Sequence, residues 1–276
     1  MAYLIYNGVL KKEEDLKLQF LNRGFLYGDG LFETLVFANG ELKYFSAHYN
    51  RLIRAAKACH IILPDFLNEL NLKQQLLELV ALNNLKGLQR IRITCWRSGL
   101  GLFSPENNNA EMLVTISQGQ YAVETKPKVE IFRDMYKPYS TLSFCKTLSA
   151  NIYVQASLAR QLLGVDDMII LGEKESVAEC CSSNIFFIIN NQLYTPSIMT
   201  GCIEGIMRGQ IFNFCTSQGI PYNEIFFSVD ALKEVQMVFT ANVTGLSSVG
   251  CIGNNTYSEE HHLFTKLKNK FSLIPQ

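Results

Sequence analysis

Two hydrophobic periods divide this chain. In "LFETLVF-ANGE-LKYF" apolar and polar residues alternate into an Asn39–Gly40 turn and out again. Period two puts every second side chain on one face, and Asn-Gly accepts the positive φ of a tight turn, so a β-hairpin is predicted. "AHYNRLIRAAKAC" then predicts a helix capped by Ser46, and the leucines of "FLNELNLKQQLLELVALNN" recur at helical spacing and predict another. "QRIRITCWR" and "EMLVTIS" read as strands, so residues 1–118 form a small domain of mixed helix and strand. The polar, aperiodic stretch "QGQYAVETKPKV" marks a linker at 119–126.

Beyond it, "KVEIFRD", "DMIIL", "SVAECC", "NIFFII", "QLYTP" and "EVQMVFT" are short β-like runs separated by turn residues. Three helical patterns interrupt them. In "NIYVQASLARQLLG", Val154, Leu158 and Leu162 are spaced i, i+4, i+8 and Gly164 supplies the stop; "EGIMRGQIFNFCTSQG" ends at Gly219; "SEEHHLFTKLKNKF" opens on Ser258 as cap. Many short strands with few helices predict a β-rich domain over 127–276, and an α+β chain overall.

Composition narrows the function. The 276 residues are 48% hydrophobic with 25 basic and 25 acidic side chains, so a sizeable core is expected and no electrostatic footprint for nucleic acid or an anionic membrane surface. The opening "MAYLIYNGVLKKEEDLKL" lacks a basic region followed by a long apolar one, and no apolar run approaches the ~20 residues needed to span a bilayer. A cytoplasmic protein is expected. The eight cysteines include no CxxC, and with four scattered histidines they predict buried thiols and no metal.

Three features carry candidate chemistry. Lys146 ends an apolar run in front of a helix, where a desolvated amine serves Schiff-base chemistry and a solvated one is ordinary surface. Glu179 lies inside the apolar "SVAECC", either as a strand-edge or ion-paired carboxylate or as an acid for a ring nitrogen. "TGCIEGIMRGQ" places glycines before a helix start, a plain turn or a phosphate-binding terminus. Lysine, acid and anion-binding helix start together are the parts that pyridoxal phosphate (PLP) requires.

The same residues resemble a known family. "RGFLYGDGLFETLVFANGEL" (23–42), "HYNRL" (48–52), "KTLSANIYVQA" (146–156), "VAECCSSNIF" (177–186), "TPSIMTGCIEGIMR" (195–208) and "VFTANVTGLSSV" (238–249) follow the order of the class IV aminotransferases. That fold-type IV PLP family includes branched-chain and D-amino-acid aminotransferases and aminodeoxychorismate lyase. The resemblance implies a small N-terminal domain, a larger barrel-like PLP-binding domain and a homodimer whose partner contributes to the active-site mouth. It implies that Lys146 binds the cofactor and shuttles the proton, that Glu179 faces the pyridine nitrogen, and that Arg51 clamps the phosphate. The backbone of Ile206 and Met207, with the Asn242 side chain, would cradle that phosphate. Tyr27 and Phe32 would line the substrate side, and Arg97 would receive a carboxylate. Asn151 stands five residues after the lysine, where some branched-chain enzymes have tyrosine.

The resemblance also implies the reaction: amino transfer between an amino acid of branched-chain or D type and a 2-oxo acid. The alternatives are 4-amino-4-deoxychorismate lyase, releasing 4-aminobenzoate and pyruvate for folate synthesis, and a catalytically silent dimer of the same fold.

Overall fold

The computed structural model describes residues 2–274. Its contacts separate two units, Met1–Gln120 with Cys145–Ala150, and Tyr121–Phe144 with Asn151–Gln276. The expectation of one continuous second domain from residue 127 is corrected at the lysine segment. Phe32 N–H donates to the Lys146 carbonyl at 2.9 Å and Leu148 N–H to the Gly30 carbonyl at 2.9 Å, which ties that segment to the first unit.

The first unit contains β1 (Tyr3–Tyr6), β2 (Val9–Lys12), α1 (Arg23–Tyr27), β3 (Gly30–Ala38), β4 (Glu41–Leu42), α2 (Phe45–Ala58), α3 (Glu69–Asn83), β5 (Gln89–Arg97) and β6 (Ala110–Gln118). Its sheet runs β2-β1-β6-β5-β3-β4. Asn39 and Gly40 take φ 52° and 80° between β3 and β4, the hairpin that the Asn-Gly signal predicts. Register pairs Leu31 with Cys95, Glu33 with Ile93 and Leu35 with Ile91, so these residues share one buried face. Phe32, Thr34, Arg92 and Thr94 occupy the other. Helix α2 begins one residue before Ser46, and Tyr44 in the left-handed region, not Ser46, is its N-cap.

The second unit contains β7 (Thr125–Tyr136), α4 (Asn151–Leu163), β8 (Asp167–Leu171), β9 (Ser176–Cys180), β10 (Asn184–Ile189), β11 (Gln192–Pro196), α5 (Ile206–Ser217), β12 (Tyr222–Ile225), β13 (Phe227–Ser228), β14 (Met237–Asn242), β15 (Gly245–Ile252), β16 (Asn255–Thr256) and α6 (His262–Phe271). Ten strands form one sheet in the order β12-β11-β10-β14-β15-β7-β8-β9-β13, with β16 on β15. The sheet curls. Val129, Ile169, Val177, Ile185, Phe187, Phe227, Val238 and Val249, drawn from seven strands, pack into one cluster. Phe187 of β10 stacks on Phe227 of β13 at 4.2 Å, joining strands from opposite parts of the path. On the other face Phe186 stacks on Phe239 at 4.9 Å, and Phe239 meets Phe264 of α6.

Two details depart from the sequence pattern. Val154, Leu158 and Leu162 lie on the exposed side of α4, whose Ala156 packs instead against Phe132 and Ile170. The C-terminal helix starts later than Ser258 predicts, and His261 caps it by accepting from Leu263 N–H at 3.2 Å.

Candidate active site

In the first unit the site is built around Glu33. Its place on the inward face of β3 would strand a carboxylate among leucines, an outcome too costly without partners. Arg51 of α2 supplies two donors, Nε at 2.7 Å and Nη2 at 2.6 Å, and the His48 Nδ1 contacts the same carboxylate at 2.7 Å. All three side chains are buried. Burial alone would raise the Glu33 carboxyl, but the Arg51 guanidinium and the His48 hydrogen bond outweigh it and hold it at about 2. Burial lowers the His48 imidazole from its usual value, with Arg51 and Lys146 acting in the same direction against Glu33. Its Nε2 is buried and has no hydrogen-bond partner.

Lys146 lies along the edge of β3, where the Leu31–Thr147 bridge places it opposite Phe32. Its ammonium stands 5.3 Å from the centroid of the Phe32 ring, and the Arg92 guanidinium stands 3.9 Å from the same centroid. The ring therefore keeps two cations on one face of the sheet. Burial, and then the neighbouring Arg90, lower the Arg92 guanidinium from its usual value.

Arg97 has a different occupation. Its Nε donates to Asp29 at 3.0 Å, its Nη1 to the His60 carbonyl and Asn108 Oδ1 at 3.0 and 2.5 Å, and its Nη2 to the Cys59 carbonyl at 2.9 Å. Asp29 also accepts from Arg23 at 2.7 Å, so this arginine is spent on holding loops together. Tyr27 ends α1 with its hydroxyl 3.4 Å from the Gly101 carbonyl and its ring 6.0 Å from Phe103.

In the second unit a β-bulge aims Glu179. Across β8 and β9, Ile170 opposes Glu179 while Leu171 opposes Val177, leaving Ala178 as the extra residue. Val177 and Cys180 both join the inner cluster, whereas Glu179 turns toward α4. Lys137 Nζ donates to Glu179 Oε1 at 2.6 Å, the Tyr153 hydroxyl to the same oxygen at 2.7 Å, and Ile203 N–H to Oε2 at 3.0 Å. Burial, then the Glu179 charge, push the Tyr153 hydroxyl well up, so it remains a donor.

The loop that holds Glu179 continues directly into α5. Gly205 is the N-cap of α5 and supplies no side-chain cap to it. A Cβ there would lie 1.9 Å from Asn184 Oδ1, so a larger residue would have to push the buried Asn184 side chain aside. The amides of Ile206 and Met207 open the helix, where the dipole favours an anion. Asn242 is turned inward on its own turn: its Oδ1 accepts from Thr244 N–H at 2.8 Å and Thr244 Oγ1 at 2.7 Å, and its amide reaches the Ser182 carbonyl. Cys180 packs in the core, where burial pushes its thiol far up, and burial likewise raises Cys181 to about 11.

Sequence reasoning missed Glu33, His48, Arg92, Lys137 and Tyr153. Glu33 carried a readable signal, a carboxylate at the inward register of "LFETL"; Lys137 and Tyr153 meet Glu179 only through the fold.

Residues 30–250 match the family model described as Amino-transferase class IV. The chain is 25% identical to the D-alanine aminotransferase of Listeria monocytogenes, over 87% of this chain and 84% of that one. It is 28% identical to the aminodeoxychorismate lyase of Bacillus subtilis, covering 87% and 83%. Its fold superposes on the branched-chain aminotransferase of Thermoproteus uzoniensis with a TM-score of 0.89 at 21% identity, covering 98% and 93%. Other solved neighbours hold pyridoxamine 5′-phosphate or N-(5′-phosphopyridoxyl)-L-glutamate. With its lysine, acid and uncapped helix start in the family order, the chain belongs to the class IV aminotransferases, a family of PLP-dependent enzymes.

Proposed function

We propose that the chain transfers an amino group between an amino acid and a 2-oxo acid, using PLP. The residues fit the cofactor. Glu179 accepts three hydrogen bonds of the roughly four a carboxylate can take, leaving an Oε2 position for a ring nitrogen. The α5 terminus suits a phosphate, and the orphaned His48 Nε2 beside Arg51 marks a buried polar position in want of a partner. When bound, PLP supplies an electron sink for the substrate Cα.

The observation that carries the reading is the pair of cations over Phe32. Lys146 Nζ takes and returns the substrate Cα proton, and Arg92 receives a carboxylate on the same face. Arg92 takes the role first expected of Arg97, four of whose five N–H donors are engaged by Asp29, Asn108 and two loop carbonyls. Phe32 positions the cations; Tyr27 lines the mouth. Arg51 is assigned to a phosphate oxygen, with Glu33 fixing its guanidinium plane through Nε and Nη2. Ile206 and Met207 present their amides to that phosphate, and Asn242 supports the cradle by bracing its turn.

Homodimerisation belongs to the same proposal, supported by the exposed Phe20, Phe25, Leu102 and Phe103. So does a cytoplasmic location, supported by cysteines scattered along the sequence with no CxxC spacing. Lyase activity on aminodeoxychorismate is the second reading, because the relatives include that enzyme and the same lysine serves it. Incubating the protein separately with aminodeoxychorismate, and with D- and L-amino acids plus 2-oxoglutarate, decides between them. Glutamate formation supports transamination; rapid 4-aminobenzoate release with no amino acid turnover overturns it.

A further inference from the structure

Glu179 is held by a cluster that stability alone does not explain. Lys137, Tyr153 and Glu179 are brought together from β7's C-terminal flank, the first turn of α4 and β9. Lys137 lies just past the end of β7, its backbone pinned by donation to the Leu171 carbonyl at 2.8 Å. Its ammonium donates to Glu179 and also to the Tyr153 oxygen, at 2.5 Å, while the Tyr153 hydroxyl passes its own proton toward Glu179. The tyrosine ring packs beside Phe132 and Ile170. Buried ion pairs usually gain no more stability than apolar side chains of the same volume would, so three polar groups in this setting call for another role.

The distribution of donors between the two oxygens indicates that role. Oε1 receives both side-chain donors, whereas Oε2 receives one backbone N–H. A glutamate carboxylate turns easily about its last torsion. Two donors converging on one oxygen from α4 and β7 stop that rotation, and Ile203 N–H locks the other oxygen. The remaining acceptor position of Oε2 then points in a constant direction.

We propose that Tyr153 and Lys137 are positioning residues that orient Glu179, so that Oε2 alone meets the ring nitrogen of a bound pyridine cofactor. This rests on the PLP reading above and adds the two residues that make the acid directional. Neither touches the cofactor in this assignment; each acts through Glu179.

The test compares PLP with its deaza analogue, in which carbon replaces the ring nitrogen. Affinities of both are measured for the wild-type protein, Tyr153→Phe, Lys137→Arg and the double variant Tyr153→Phe/Lys137→Met, with thermal unfolding to verify that each is folded. Loss of one hydrogen bond of about 1 kcal/mol corresponds to about fivefold. Tyr153→Phe should weaken PLP about fivefold and the double variant more, while the deaza analogue is unchanged throughout. Lys137→Arg, which keeps a cationic donor, should stay near wild type. The 15N shift of labelled PLP should report altered ring-nitrogen protonation in Tyr153→Phe. Equal weakening of both analogues, or PLP affinity and 15N shift unmoved in Tyr153→Phe, overturns the proposal while leaving the PLP reading intact. A wild-type protein that takes up no PLP overturns both. Should the double variant fail to fold, the single variants decide.

Discussion

Glu33 meets almost no solvent, and its charge survives because Arg51 and His48 close on it from α2. Its carboxyl is held at about 2 against an ordinary 4.5. A folded value below the unfolded one contributes stability above pH 4.5 that is lost as pH falls toward 2, about 3 kcal/mol in all. Glu33→Gln leaves Arg51 buried without its counter-ion and should cost about 3–5 kcal/mol near neutral pH. Denaturant titrations should show that gap narrowing as the pH drops below 4.5; a gap independent of pH would contradict the assignment. Lys146→Ala should leave the fold intact, remove turnover and shift the absorbance band of the protein loaded with PLP to that of the free aldehyde, read by absorbance. Of this residue-scale chemistry, Lys146 and Glu179 were legible in sequence as polar groups in apolar surroundings. Tyr153 and Lys137 were not, since nothing local links residues 137, 153 and 179.

Helices and strands followed their periods, and departures have local physical causes. The alternation in "LFETLVF" became β3, and Asn39–Gly40 its turn, because both are decided by neighbouring residues. The caps were less legible: Ser46 and Ser258 have the right chemistry, but the chain enters α2 through Tyr44 and α6 through His261. In α4 the i, i+4, i+8 spacing identified a helix and said nothing about what the apolar side would touch. At the start of α5, Gly205→Ala would drive a methyl into Asn184 and break the 2.8 Å bond from Asn184 to the Ile203 carbonyl. A cost of about 1–3 kcal/mol is expected, as for other overpacked sites. Because the same loop holds Glu179 and leads into the proposed phosphate cradle, PLP affinity should fall with it, measured by fluorescence titration; unchanged affinity in a folded variant would separate the loop from the site.

For the whole molecule, the exposed large apolar residues of the first unit are the feature that a lone chain leaves unexplained. Phe25 is 74% exposed, Leu102 78% and Phe103 90%, far from the usual distribution of large apolar side chains. The proposed dimer buries them. Analytical ultracentrifugation should find the wild-type protein as a dimer, and Phe25→Ser with Phe103→Ser should shift it toward monomer without lowering helical content by circular dichroism. A monomeric wild-type protein would refute this use of the surface.

The linear chain determined the elements and the family, and singled out Lys146 and Glu179 as candidates, because periodicity, turn chemistry and motif order depend on residues near one another. Tertiary structure decided the rest. The strand-edge bonds at Gly30 and Phe32 placed the Lys146 segment in the first unit, not in the β-rich domain expected over 127–276. The bulge at Ala178 put Glu179 on the face opposite Val177, two residues earlier, and left Cys180 in the inner cluster, since a single extra residue inverts a strand's side-chain alternation. Arg97 meets Asp29 and the Cys59 carbonyl while Arg92 lies over Phe32, because which arginine finds buried acceptors depends on loops folding back from distant parts of the chain.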